Sequence, residues 1–367
     1  MFVLNDVETN LVDYKKFADE GSIEYQEKIG IYYWIKFDID NAEKYLKLAA
    51  NGGSISAMVM LAEFYNNPPK AKSDSVDAMS ETFANDELKD FIFEEKANWW
   101  IKKAAENGDH YSMHSMATRY RNMQGFDKLA FEWCLRAAEL GNVGAQNDVG
   151  AHYDHGDGAE NDDAKAFEWY MKAARQNCAV AMFNVGLFYR NGTAVEQNHE
   201  KAFEWFMKSA QKGYGHSQNE VALYYDDNCE SHEAGVINRY EAFKWYRRGA
   251  ISGDKNAKYN LAYSYENSED EKVDYEKAFV LYYELATLEK PYALACNEIG
   301  RCFLGGHGVK KDAKQAVLWF KKGANLNEPW SIDNLAYCYE NGEGVKKDLE
   351  KAEKLRKRAE KIFNEKD

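Results

Sequence analysis

The chain has 367 residues, and its 61 acidic against 47 basic residues give a formal net charge of −14. Hydrophobic residues make up 45% of the chain, which is enough to bury a core and excludes intrinsic disorder. The acidity argues against a nucleic-acid partner, since binding to phosphates depends on basic clusters. No apolar run long enough to span a membrane occurs, and only 4 Pro accompany 25 Tyr and 9 Trp. Composition therefore predicts an all-α chain with neither a membrane nor a nucleic-acid partner.

The N-terminal segment, residues 1–24, is predicted to form a cap. It contains Leu4, Val12, Tyr14 and Phe17, which are enough apolar residues for one short capping helix. Its start has no basic stretch and reaches Asp6 and Glu8 at once, so no signal peptide is predicted. We therefore expect a cytoplasmic location.

A helical motif then recurs along the chain. The string AFEWYMKAARQN from Ala166 returns as AFEWFMKSAQKG from Ala202, with a bulky residue three after the alanine. Small residues follow at +7 in most copies, and spacings of 3, 4 and 7 place all these residues on one helix face. We call this segment helix B. Its nine copies begin at Ala42, Ala97, Ala130, Ala166, Ala202, Ala242, Ala278, Ala316 and Ala352.

A second motif, helix A, precedes each copy of helix B. It joins an apolar residue, a small residue and an aromatic residue, as in VGLFY from Val185 and LAYCY from Leu335. The small residue is expected to let the two helices of a pair approach closely. Gly-containing turns such as NGEGVKKD separate the two helices, because glycine accepts the positive φ that follows a helix end.

Together the two motifs resemble the Sel1-like repeat, a longer-looped relative of the tetratricopeptide repeat. Copies that start at Ala145, Ala181, Ala295 and Ser331 match nearly every landmark of that pattern in order. The resemblance covers residues 25–360 and implies a right-handed α/α superhelical solenoid of about nine helix-turn-helix repeats. Because each unit cannot bury its apolar face alone, we expect one continuous stack rather than separate domains.

Two segments depart from the period. An insert at residues 66–96 adds 19 residues and contains the helix-like string DELKDFIFEE. Either it contributes to a binding face or it is an insertion without function. The last helix, within residues 348–367, has leucine in place of tryptophan and many basic residues. A polar outer face on a terminal repeat suggests that it caps the stack.

Residues that would carry chemistry are not convincingly arranged. The cluster His152, Asp154, His155 and Asp157 has metal-ligand residue types, but it coincides with the ordinary repeat turn, so a structural role is favoured. No nucleotide-binding or zinc-protease motif occurs. Six tryptophans of helix B lie on the stripe of small residues and are predicted to be core. The sequence therefore predicts no catalytic residue, no metal and no cofactor.

The cysteines bear on one alternative. Cysteine-rich relatives of the Sel1-like class have disulfide-linked repeats and are associated with β-lactam binding. They suggest a small-ligand or β-lactam-binding enzyme, which is the weakest of the functional hypotheses. The six cysteines of this chain lack that pairing and are expected to be free, mostly buried thiols. S-x-x-K occurs from Ser209 and from Ser252, at helix ends and without companion motifs. We expect no enzymatic activity.

The concave face of such a stack is where a partner is expected, because repeats create an extended surface there. In tetratricopeptide-like units helix A lines this groove, and positions −3, +1 and +4 from its small residue are the candidates. Amides suit a peptide backbone, and Tyr and Arg are frequent binding anchors. The candidate residues are His114, Arg121, Asn147, Phe183, Arg190, Asn219, Tyr259, Tyr263, Asn297, Arg301, Asp333 and Tyr337.

The resemblance and this groove imply a non-catalytic scaffold or adaptor, of a kind often found in bacteria, that binds a protein or peptide. The strong acidity would suit a basic partner. An alternative within binding is an inhibitor or immunity protein that neutralises a toxin or effector enzyme.

Overall fold

The protein is described here from a computed structural model. The structure describes residue 7 and residues 10–67, 86–226, 238–267 and 273–364. These residues form α-helices joined by short turns. The helices are α1 (Leu11–Asp19), α2 (Ile23–Ile35), α3 (Ile39–Asn51), α4 (Ile55–Asn66), α5 (Asp86–Glu106), α6 (His110–Arg121), α7 (Asp127–Glu139), α8 (Val143–His155), α9 (Asp163–Arg175), α10 (Ala179–Asn191), α11 (His199–Gln211), α12 (Gly215–Tyr225), α13 (Arg239–Ile251), α14 (Lys255–Glu266), α15 (Tyr275–Ala286), α16 (Ala293–Gly305), α17 (Ala313–Asn325), α18 (Pro329–Asn341) and α19 (Leu349–Asn364).

From α2 onwards the helices pack in nine consecutive pairs. The even-numbered helix of each pair carries the helix A motif and the odd-numbered helix carries the helix B motif. The predicted class, all-α with about nine helix-turn-helix repeats, is confirmed. The chain divides into two compact units: unit 1, Met1–Cys178, holds α1–α9, and unit 2, Ala179–Asp367, holds α10–α19.

The turns between paired helices follow from two residue types. A side-chain oxygen of Asp162, Asn198 or Asp348 accepts a hydrogen bond from a backbone N–H in the first turn of the following helix B. Glycine is the second residue type. In the turn before α17, Gly308 has a φ of 70°, and a Cβ there would overlap the carbonyl oxygen of Tyr275. The second glycine of the G-x-G turn therefore serves both backbone conformation and contact with the preceding repeat.

Close packing within a pair depends on a small residue opposite an aromatic ring. A Cβ on Gly186 would lie 2.5 Å from the ring of Phe206, and Gly300 meets Phe320 in the same way. The expected close approach of helices A and B is confirmed, and the ring that fills it lies four residues after the helix B alanine. Fully burying such a ring contributes about 1.5–3 kcal/mol to the free energy of unfolding.

The tryptophan stripe of helix B is less buried than the sequence predicted. Trp100 and Trp245 are buried, whereas the other four tryptophans of the stripe are half-buried. A basic side chain three residues later lies over five of the rings, with 3.5–4.8 Å between its charged group and the ring centroid. These pairs are Trp133–Arg136, Trp169–Lys172, Trp205–Lys208, Trp245–Arg248 and Trp319–Lys322. Three of the half-buried rings, Trp133, Trp169 and Trp319, still pack against buried core residues, so the predicted core contact is confirmed for them although full burial is not.

The irregular segments fall partly within the described residues. The string DELKDFIFEE forms the first part of α5, and residues 68–85 of the insert lie outside the described residues. Helix α1 belongs to the predicted N-terminal cap and α19 to the predicted C-terminal cap. Among the helices described, none has the length and apolar character needed to cross a lipid bilayer.

Candidate partner-binding face

All twelve residues predicted to bind a partner lie on helices A. We call the surface that they mark the helix A face. Its unit 1 part contains His114, Arg121 and Asn147 on α6 and α8. Its unit 2 part contains the other nine residues, on α10, α12, α14, α16 and α18.

In unit 1 the three predicted residues converge on a carboxylate. His114 Nε2 lies 2.9 Å from Asp148 Oδ2, and an Arg121 guanidinium nitrogen lies 2.5 Å from the same oxygen. The amide of Asn147 donates to the other oxygen of Asp148 at 3.3 Å. Burial alone would raise the pKa of Asp148, but the hydrogen bonds from His114 and Arg121 lower it to about 2. Asp148 therefore holds these side chains together as an anion.

Unit 2 has a similar arginine–carboxylate pair, but there the attraction of the arginine does not outweigh the effect of burial on the carboxyl pKa. The Arg190 guanidinium, near the end of α10, donates to Glu220 on the next helix A at 2.8 Å. Burial raises the pKa of Glu220, and the attraction of Arg190 does not offset it. In both units an arginine near the end of one helix A reaches an acid in the middle of the next.

The predicted asparagines of unit 2 bond to neighbouring helices A. Asn219 and Asn297 are each 5% exposed. Asn219 Oδ1 accepts a hydrogen bond from Asn260 at 2.9 Å, and Asn297 Oδ1 accepts one from Asn334 at 2.8 Å. These amides connect consecutive repeats. They therefore hold neighbouring helices A in position and are too buried to contact a partner directly.

Glu298 is the centre of a second polar cluster. It is 7% exposed and accepts hydrogen bonds from Arg301 at 2.5 Å, from Asn297 at 3.1 Å and from Tyr259 at 3.4 Å. Burial raises the pKa of Glu298 in spite of the Arg301 charge. Arg301 also lies 3.6 Å from Glu266, so two carboxylates fix its guanidinium.

Three residues at the +1 position form an exposed row on successive helices A of unit 2. Tyr263 on α14 is 45% exposed and Tyr337 on α18 is 42% exposed. Between them in sequence order, Arg301 on α16 has a side chain that is 49% exposed. Tyr and Arg are the residue types that dominate binding energy at protein interfaces.

The remaining two predicted residues have partners within unit 2. Phe183 packs its ring against those of Phe206, Tyr214 and His216. Asp333 lies 3.2 Å from a guanidinium nitrogen of Arg356.

Sequence reasoning missed the carboxylates Asp148, Glu220 and Glu298, which occupy the −2 position of helix A. It also missed a relation between the two helices of a pair. Where helix B has a tyrosine at +4, its hydroxyl donates to an acid at +4 of helix A. These pairs are Tyr170–Asp154, Tyr246–Asp226 and Tyr282–Glu266. Phe206 at this helix B position is paired with Arg190 on helix A, and Phe320 is paired with Leu304, so neither phenylalanine faces an acid. The relation between tyrosine and acid could therefore be found by aligning the repeats.

Groups that suggested other chemistry have structural partners. His152 is buried, and its Nδ1 lies 2.5 Å from the carbonyl oxygen of Asp157 within the repeat turn. Ser209 donates to the carbonyl oxygen of Ala179 and Ser252 donates to Gln218. Within the described ranges, no group of three potential metal ligands occurs.

The cysteines agree with the expectation of free thiols where they are described. Five are unpaired and four of these are buried, while Cys229 lies outside the described residues. Burial raises the pKa of the Cys134 and Cys302 thiols to about 12, which makes them poor nucleophiles.

The helix pairs and their turns define a helical repeat protein of the tetratricopeptide-like class. The sequence profile of the Sel1 repeat matches this chain nine times, and the chain belongs to the Sel1 repeat family. The matched ranges are 29–54, 94–109, 111–142, 143–178, 179–214, 216–254, 255–289, 293–328 and 331–359.

Solved structures agree with this assignment. A protective antigen of uropathogenic Escherichia coli strains, which displays an SLR fold, is 26% identical with a TM-score of 0.76. The match covers 95% of this chain and 74% of that chain. A Sel1 repeat protein from Oxalobacter formigenes is 27% identical with a TM-score of 0.60, covering 67% of this chain and 96% of that one.

An immunity protein from Pseudomonas aeruginosa is 17% identical over 61% of this chain and 82% of that chain. Its TM-score of 0.38 is too low to carry an argument about function. The comparison with curated proteins gave no match.

Proposed function

We propose that this protein is a non-catalytic scaffold that holds a partner protein or peptide along the helix A face of unit 2. Sel1 repeat proteins generally mediate protein–protein interaction, which supports the class of function. The observation that carries the proposal is the exposed row of Tyr263, Arg301 and Tyr337. Carboxylates and buried amides hold these helices in register, so the row loses little conformational freedom on binding.

The charge of this surface favours a basic partner. Glu266 and Glu298 are buried beside Arg301, whereas Asp333 and Glu340 on α18 have side chains that are 41% and 44% exposed and that pair with Arg356. Lysine or arginine side chains of a partner would meet carboxylates there and tyrosine rings that attract cations. The net charge of −14 would also steer such a partner towards the protein. An inhibitor or immunity role is a narrower form of this proposal, in which the basic partner is a toxin.

A cytoplasmic location and the absence of catalysis belong to the same proposal. Unpaired buried thiols suit a reducing compartment. The serines of both S-x-x-K strings are engaged in hydrogen bonds with neighbouring helices. Neither serine is paired with a base that would activate it.

Photo-crosslinking tests the proposal directly. A benzoylphenylalanine residue would be placed at position 263 or 337, and at position 318 as a control. Leu318 is 57% exposed but lies on helix B of unit 2. We expect one cellular protein to be captured from both positions 263 and 337 and not from position 318. Equal capture from all three positions, or capture from position 318 alone, would contradict the proposal.

A further inference from the structure

A contact between consecutive helices A recurs in the described repeats, from the residue at +4 of one helix to the residue at −2 of the next. In two such contacts an arginine at +4 reaches a carboxylate at −2. These pairs are Arg121–Asp148 at 2.5 Å and Arg190–Glu220 at 2.8 Å. Between α14 and α16 the two positions hold Glu266 and Glu298. An acid therefore stands where the other two contacts have an arginine.

A single guanidinium lies between these two acids. Arg301, at the +1 position of α16, has one nitrogen 2.5 Å from the Glu298 carboxylate and another 3.6 Å from that of Glu266. The side chains of both glutamates are only 10% exposed. Within the described ranges, no second basic side chain pairs with either of them. We call these three residues the Glu266–Arg301–Glu298 cluster, in which two buried carboxylates share one cation.

The other titratable groups that face the cluster keep their protons at neutral pH. Tyr259 on α14 donates to Glu298 at 3.4 Å, and Tyr282 on α15 donates to Glu266 at 3.3 Å. Burial and the neighbouring carboxylates raise the pKa of both hydroxyls. The same causes raise the pKa of the Cys302 thiol on α16 to about 12. These groups therefore add no charge to the cluster.

The helices that follow α16 do not supply the missing cation either. From α18 the Asn334 amide donates to Asn297, and Asp333 pairs with Arg356. From α17 the ring of Phe320 lies against Gly300, two residues after Glu298. With both glutamates ionised, one cation and two anions leave the cluster with a net charge of −1.

A buried carboxylate without a cation of its own is costly, and two carboxylates that share one site favour the uptake of a proton. Burial raises the pKa of Glu298, and the charge of Glu266 raises it further, against the attraction of Arg301. At Asp148, where the residue at +4 is an arginine, the carboxyl pKa is lowered to about 2 instead. Glu298 is therefore the group of the cluster that we expect to bind the proton.

We propose that the Glu266–Arg301–Glu298 cluster is a proton-operated switch in the middle of the exposed row of Tyr263, Arg301 and Tyr337. When both glutamates are ionised, they hold Arg301 from two sides and the cluster is negative. When Glu298 takes up a proton, the cluster becomes neutral and Arg301 keeps an ionised partner only in Glu266. The guanidinium then loses its shorter ionic contact and turns more readily towards the solvent.

The consequence for a partner rests on the proposed function, whereas the uptake of the proton does not. Tyr263 and Tyr337 keep their places while the charge between them changes from negative to neutral. The attraction of this row for lysine or arginine side chains should therefore weaken as the pH falls.

Nuclear magnetic resonance of protein labelled with carbon-13 at the glutamate carboxyl groups follows the proton directly. The signal that is missing from the spectrum of Glu298→Gln is observed between about pH 8 and pH 4. We expect its midpoint at least about one pH unit above the ordinary value of 4.5. Glu353 is the internal reference, because its hydrogen bond from Lys357 lowers its pKa.

Two variants test whether the second acid is the cause. Glu266→Gln removes the like charge and keeps the shape, so the Glu298 midpoint should fall by at least about half a pH unit. Glu266→Arg restores the arginine of the other two contacts and should bring the midpoint below 4.5. Circular dichroism checks that both variants are folded. A Glu298 midpoint at or below 4.5 in the unchanged protein, or one that Glu266→Gln leaves in place, would overturn the proposal.

Hydrogen exchange of the guanidinium protons measures the release of Arg301. After correction for the intrinsic pH dependence, protection should fall at least about tenfold when Glu298 is protonated. Glu298→Gln should show the low protection at pH 8 as well. Arg121 is the matched control, because Asp148 stays ionised over this range. Equal protection of Arg301 in the unchanged protein above and below the midpoint would also overturn the proposal.

The effect on binding is measured with the protein captured by crosslinking at positions 263 and 337. Its affinity should weaken at least about threefold below the Glu298 midpoint, and the affinity of Glu298→Gln should not change with pH. A captured protein that binds equally above and below the midpoint would contradict the switch. Failure to capture a protein at these positions would contradict the proposed function, while the titration of Glu298 would still decide whether the cluster binds a proton.

Discussion

Asp148 in unit 1 and Glu298 in unit 2 occupy the same position of helix A, yet their carboxyl pKa values shift in opposite directions. Burial would raise the pKa of Asp148, but hydrogen bonds from His114 and Arg121, together with the Arg121 charge, lower it to about 2. Glu298 is more deeply buried, and burial raises its pKa against the attraction of Arg301. The comparison shows that the carboxyl at one repeat position is either a stabilising anion or a costly charge, according to how deeply it is buried.

Removing the arginine of unit 2 should have the largest effect. Arg301→Met leaves Glu298 buried without its cation, which should lower the free energy of unfolding by about 3 kcal/mol at pH 7. Urea denaturation followed by circular dichroism measures this change, with Arg175→Met, an exposed arginine of α9, as the control. Because protonation of Glu298 removes the unpaired charge, the deficit should shrink as the pH falls. A variant as stable as the unchanged protein at pH 7 would show that the pair contributes nothing.

The second prediction concerns the anion of unit 1. Asp148→Asn should lower the free energy of unfolding by about 2 kcal/mol at pH 7, since a pKa lowered from 3.8 to about 2 favours the folded state. This contribution is complete above the unfolded pKa near 3.8 and is lost as the pH falls through about 2. Urea denaturation between pH 7 and pH 2 measures it, with Glu139→Gln as the exposed control. A deficit that persists unchanged at pH 2 would contradict the assignment to charge.

The matching change in unit 2 should have a small effect of the opposite sign. A raised carboxyl pKa contributes stability that is present below the unfolded pKa, near 4.5, and is lost as the pH rises through the folded pKa. Glu298→Gln removes the charge but keeps the shape, so we expect stability at pH 7 to rise by at most about 1 kcal/mol. Thermal and urea unfolding of this variant beside Asp148→Asn give the comparison. An equal loss in both variants would disprove the distinction between the two carboxylates.

Much of the fold was predictable because each repeat presents the same local signals. The Ala166 and Ala202 copies reveal helix B from spacing alone, and the G-x-G turns mark where pairs close. The buried ring at +4, such as Phe320, was overlooked because tryptophan at +3 is the more conspicuous residue. Its opposition to Gly300 becomes clear only when the two helices are packed.

The sequence predicted which helices carry the helix A face, but it did not predict the hydrogen bonds between residues of that face. Tyr263 and Tyr337 project as the helix spacing indicates. Asn219 and Asn297 bond to the following helix A instead, because consecutive repeats bring amides together that are 41 and 37 residues apart in sequence. Asp148 was missed for the same reason, since its partners lie on the preceding helix A.

The binding claim is tested most directly by the affinity of the protein captured by crosslinking for the double variant Tyr263→Ala/Tyr337→Ala. Both rings are exposed, so we expect stability to stay within about 0.5 kcal/mol of that of the unchanged protein. The account predicts an affinity at least about tenfold weaker, measured by isothermal titration calorimetry, with Leu318→Ala unchanged. A folded double variant that binds this partner with undiminished affinity would contradict the assignment of the helix A face.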